Sequence, residues 1–193
     1  MRRWLFPFVL APFVLALLVW GCSPKPSARD AAPVDARLEE ILGQLRLAPD
    51  ARAAVKLEAQ IWTRWRDSGS PTVNVLLERA SLAQQQKRPQ LAEAFLNDAA
   101  RLAPYCAEIW HQKAALAYDL GDKAQALRHI HEVLLREPRH FGALAALGMI
   151  YEEFGREQAA LKAYEEALAV HPFFQPAEAG VKRLRGKADG REA

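Results

Sequence analysis

Three prolines, Pro104, Pro138 and Pro172, fall 34 residues apart. Ala92, Ala126 and Ala160 keep the same period, and a third register is small at every step: Ala80, Ala114 and Gly148. A strict period of this length in helix-forming sequence marks stacked helix-turn-helix units. Such a stack makes a curved surface for holding another protein and does not normally make a reaction centre. The small residues let the two helices of a unit approach, and Leu96, Ile130 and Tyr164 fill the facing space. The prolines end each second helix and set the turn into the next unit.

The units predict helices near 72–86 and 89–102, 107–120 and 123–136, and 141–154 and 157–170. Gly121-Asp122 and Gly155-Arg156 mark tight inner turns, while the first unit has Lys87-Arg88-Pro89 there. Ahead of them, residues 34–70 predict a helical hairpin. Leu38, Ile41, Leu42, Leu45 and Leu47 form one stripe, and Ala54, Val55, Leu57, Ile61, Trp62 and Trp65 another. Ser68-Gly69-Ser70-Pro71 closes it. Because this pair lacks the repeat's spacing, it is expected to cap the N-terminal end, with its tryptophans buried against the first unit. Residues 173–185 predict a short helix covering the third unit, with a disordered tail from Gly186.

The third unit resembles the tetratricopeptide repeat through Leu147-Gly148, Tyr151, Gly155, Ala160, Tyr164, Ala167 and Pro172. The second matches through Trp110, Ala114, Gly121, Ala126 and Pro138, and the first through Ala80, Ala92, Ala99 and Pro104. The resemblance covers residues 72–172. It implies an all-α, right-handed superhelical solenoid of antiparallel helix pairs. It also implies a concave groove lined by the first helices: Asn74, Leu77, Ser81 and Gln85; His111, Ala115, Tyr118 and Asp119; Met149, Glu152 and Glu153. This set lacks the lysine and asparagine clamp with which other members hold a C-terminal carboxylate. It suits an extended or helical peptide.

The N-terminus predicts export. Arg2-Arg3 precedes uninterrupted apolar sequence from Trp4 to Trp20, then Gly21 and Cys22. Residues 1–22 read as a secretory signal, since the run is short for a spanning helix and carries Pro7 and Pro12. Val19-Trp20-Gly21-Cys22 resembles a bacterial lipobox at Val19, Gly21 and Cys22 and departs from it at Trp20. This implies a lipid on Cys22. Residues 23–33, rich in proline, serine and alanine, read as a tether. The formal charge of +3 falls to 24 basic against 23 acidic residues without the two arginines before Cys22. No basic run tracks a nucleic-acid backbone.

The remaining candidates for chemistry are weak. His129 and His131 flank inward Ile130 and should diverge into solvent. His140 and His171 sit beside unit-ending prolines, far apart on the stack, and predict no metal site. Glu165-Glu166 reads as a solvated face, and no nucleophile motif accompanies it. Cys106 reads as a small buried residue at a turn. The expectation is a non-enzymatic, cofactor-free adaptor, tethered by lipid in the cell envelope and facing the periplasm, that holds a protein or peptide. The alternative is a self-associating component of an envelope assembly machine for secretion, pilus or cytochrome maturation.

Overall fold

A computed structural model describes residues 35–190. The expected signal segment at residues 1–22, with Cys22, and the expected tether at 23–33 lie outside the described residues. Within them all regular structure is helical: α1 (Ala36–Arg46), α2 (Ala51–Arg66), α3 (Pro71–Gln85), α4 (Pro89–Leu102), α5 (Ala107–Asp119), α6 (Lys123–Arg136), α7 (Phe141–Glu153), α8 (Glu157–Val170) and α9 (Gln175–Asp189). None is long and apolar enough to cross a membrane. The starts are locally encoded. Asp35, Asp50 and Asp122 accept backbone N–H bonds at the starts of α1, α2 and α6. Pro71 and Pro89 open α3 and α4, where a missing N–H costs nothing.

The three repeat units are α3–α4, α5–α6 and α7–α8. Their inner turns share one left-handed residue: Lys87 at φ 54°, Gly121 at 80° and Gly155 at 70°. The first unit thus makes the same turn without glycine. Ala80, Ala114 and Gly148 are buried against Leu96, Ile130 and Tyr164. At Gly148 the approach is so close that a Cβ would lie 2.7 Å from the Tyr164 ring.

A second register stacks the units. Ile109 and Ala143 are fully buried, as are Leu116 and Ile150 nearly so, where units two and three meet the unit before them. The equivalent residues of unit one, Val75 and Leu82, are 46% and 51% exposed. Unit one therefore has an open stacking face, and the N-terminal hairpin does not cap it.

The hairpin packs elsewhere. Ile41, Leu42, Leu45, Ile61 and Trp65 share one apolar core with Phe141, Leu144 and Ala145 of α7, Ala160, Tyr164 and Ala167 of α8, and Ala177, Val181 and Leu184 of α9. Arg139 donates to both carboxylate oxygens of Glu39 at 2.6 and 2.7 Å, and Glu58 lies 3.2 Å from His171 Nε2. The expected burial of the tryptophans against unit one is corrected to burial against units two and three. The physical reason is space. At the register of Asn74 and Glu108, unit three has Gly142, where a Cβ would meet Trp62 at 2.8 Å. Unit one offers the hairpin Asn74 there and, on its open face, the exposed charge of Arg79.

Smaller corrections follow the same packing. Leu47 and Val55, expected inward, are exposed. α9 continues past the expected end at 185 to Asp189. Its Arg183 donates from Nε and Nη2 to Glu152, both at 2.7 Å.

Candidate functional site

The expected groove residues do not form one open surface. α2 lies over part of it, with the Trp62 ring 5.5 Å from His111, so His111 is half-buried under an indole. Asn74 is consumed by the α2–α3 connection: its Oδ1 accepts from Ser68 N–H at 2.9 Å and its Nδ2 donates to Asp67 at 3.1 Å. That bond and the Gly69 N–H hold the Asp67 carboxyl below its ordinary value. The acidic end is neutralised. Tyr118 donates to Glu153 at 2.5 Å, and Lys123 reaches Glu153 at 2.7 Å. Hydrogen bonds from Arg183 and from Lys123 push the Glu152 and Glu153 carboxyls down. Met149 is half-buried, and Ala115 and Asp119 are exposed.

What stays open is a cleft of about 710 Å³ between α2 and α3. Leu77 is its nearly buried floor. Ser81, Gln85 and Gln112 line it, with Thr63 and Arg66 as the α2 wall. Ser81 and Gln85 were legible as groove residues. The α2 wall was not, because only the packing of the hairpin on distant units puts it there.

A polar cluster lies beneath the tryptophans. His140 caps α7, its Nδ1 accepting from Ala143 N–H at 3.1 Å. Its ring stacks on Trp65 at 4.0 Å and lies 4.7 Å from the His111 ring. His111 Nδ1 is 3.3 Å from Glu108 Oε2, while Glu108 Oε1 accepts from Gln112 Nε2 at 3.1 Å. Glu108, His111 and His140 each bring one donor atom within 4.8 Å of the others. Burial, then the neighbouring His111, pushes the His140 imidazole well below its ordinary value, so it is neutral. The expectation of solvated, widely separated turn histidines is corrected: His140 and His171 are buried. His129 also departs from expectation, half-buried with its ring 5.8 Å from that of Trp110, whereas His131 is exposed as expected.

A model of the tetratricopeptide repeat matches residues 141–172, the whole third unit. A TPR repeat-containing protein of Rhizobium etli is 36% identical over 154 residues, covering 80% of this chain and 76% of that one. The chain is a tetratricopeptide repeat protein. Among solved structures, the TPR domain of Arabidopsis OM64 is similar at 25% identity and a TM-score of 0.55, covering 59% of this chain and 94% of that domain. The first TPR of Spaghetti (RPAP3), bound to the HSP90 peptide SRMEEVD, shares the fold at 18% identity and a TM-score of 0.58, covering 62% and 95%. The family and the all-helical solenoid thus stand as the resemblance of the three units implied. In this tetratricopeptide stack α2 lies over part of the groove, with Trp62 against His111.

Proposed function

We propose that this chain is an adaptor holding a protein or peptide partner in the cleft between α2 and α3. The cleft carries the reading: an apolar floor at Leu77 is rimmed by Ser81, Gln85, Gln112 and Arg66, with exposed Leu82 at its edge. Apolar anchors with a few polar groups suit an extended or helical peptide. The peptide bound by the first TPR of Spaghetti (RPAP3) supports this use of the fold, and repeat stacks of this kind typically scaffold without catalysis. Photocrosslinkers placed at Ser81 and Gln85 in living cells should give partner adducts, whereas one at exposed Glu166 should not. Adducts confined to Glu166 would move the partner to the outer face.

The proposal includes export and a lipid tether at Cys22, supported by the apolar segment and the Val19-Trp20-Gly21-Cys22 sequence. Cys22→Ser should release the protein from sedimented membranes, since Cys22 is the one cysteine within residues 1–33. Full retention of that variant would favour an uncleaved anchor.

One observation favours the second reading, self-association within an envelope assembly. The open stacking face of unit one exposes Val75 and Leu82 in the register that elsewhere buries Ile109 and Leu116. Sedimentation that shifts with concentration, and no longer does so in Val75→Glu, would support it.

A further inference from the structure

We propose that Glu108, His111 and His140 bind one divalent metal ion of the zinc class, joining unit two to unit three beneath the tryptophans of α2. Two imidazoles and a carboxylate are donors that zinc accepts. The three donor atoms lie within 4.8 Å of one another. Glu108 Oε2 and His111 Nδ1 are already 3.3 Å apart. That matches the edge of a tetrahedron with bonds of about 2.0–2.1 Å.

Two further observations point to a ligand. His140 is fully buried and its Nε2 has no hydrogen-bond partner. Glu108 is a buried carboxylate whose side-chain hydrogen-bond partners among the described residues are Gln112 and His111. Burying a carboxylate is costly unless it is paired, and a metal ion is one such partner. The outer contacts are those of a supported site. Gln112 holds one oxygen of Glu108, and Trp65 fixes the plane of His140.

The proton on His140 must move for this to happen. A neutral ring that accepts at Nδ1 carries its proton on Nε2. Coordination takes the Nε2 lone pair, so the proton transfers to Nδ1 and the Ala143 amide gives up its acceptor. Filling the site therefore costs one helix cap and relieves one orphaned buried donor. A cap is a small loss beside coordination bonds.

The test is a titration of the full-length chain, in mild detergent, with cobalt(II), then competition with zinc(II). The expected result is saturation at one equivalent, with the visible bands of four-coordinate cobalt. Tryptophan emission should be quenched, because Trp62 and Trp65 lie against two of the ligands. Zinc should displace the cobalt and raise the melting temperature, and histidine ring nitrogen shifts should report coordination at His140 Nε2 and His111 Nδ1. Glu108→Gln and His111→Asn should each weaken affinity by about tenfold or more, at least the loss typical of an outer-shell change. His140→Asn, which keeps a capping acceptor, should do the same. His131→Asn should leave affinity unchanged. If His140→Asn fails to fold by circular dichroism, the other two ligand variants decide. A wild-type chain with no saturable cobalt bands overturns the site, as does an affinity that survives Glu108→Gln and His111→Asn.

Discussion

Two residues show how much a single position in a repeat can carry. Gly148 admits the Tyr164 ring where any Cβ would collide, and Leu147 beside it is buried. Gly148→Ala should cost about 1–3 kcal/mol through overpacking, and Leu147→Ala about 2–5 kcal/mol through lost burial and a cavity. Denaturant midpoints would check both; unchanged midpoints would break the register. Lys87 is the opposite case, an ordinary residue in the left-handed turn that Gly121 and Gly155 make freely. That conformation costs an L-residue roughly 1–2 kcal/mol, offset in part by the extra chain entropy glycine loses on folding. Lys87→Gly should raise the melting temperature slightly, while Gly121→Lys should lower it.

At the scale of elements, the outer helices are held by charge as well as by apolar packing. Arg183 of α9 grips Glu152 of α7, with Lys187 nearby at 3.9 Å. The Arg183 hydrogen bond keeps the folded Glu152 carboxyl below its ordinary 4.5. Its contribution is therefore complete above about that value and is lost as pH falls through the folded one. Stability measured from pH 7 down to 3 should show this loss, and Glu152→Gln should flatten that part of the profile. An identical profile in the variant would show that the Arg183–Glu152 pair contributes nothing to holding α9 beyond the packing of Ala177, Val181 and Leu184 and its other ion pairs. The repeat helices were legible because period, caps and prolines are local signals; α4, α6 and α8 fall where they were expected. The seat of α1–α2 was not, because it depends on Gly142 accommodating Trp62, a fit between residues far apart in the chain. The same gap hid the meeting of His111 with His140. Each reads as an isolated surface histidine until the units are stacked. Ser81 and Gln85 were legible as groove residues, but nothing local to Asn74 says that it ties down Ser68.

For the whole molecule, the hairpin changes what kind of solenoid this is. A simple repeat array is held by nearest neighbours. Here Ile41, Leu45, Ile61 and Trp65 complete the core of the last unit, and each buried side chain of this size contributes about 1.5–3 kcal/mol. Deleting residues 35–68 should therefore strip amide-exchange protection from α7 and α8 before α3 and α4. Earlier loss in α3 and α4 would contradict the packing.

The Arg139–Glu39 pair spans 100 residues, and this gives the chain a timetable. A ribosome delivers α1 and α2 first, and the surface they match is made last. Until α7 and α8 exist, the tryptophans have no seat and the hairpin travels with its apolar stripes uncovered. Closing so long a loop is slow beside winding neighbouring repeats. The return of α1–α2 onto α7 and α8 is thus expected as a late step of folding, and any factor that shelters a nascent chain has a long task at the hairpin.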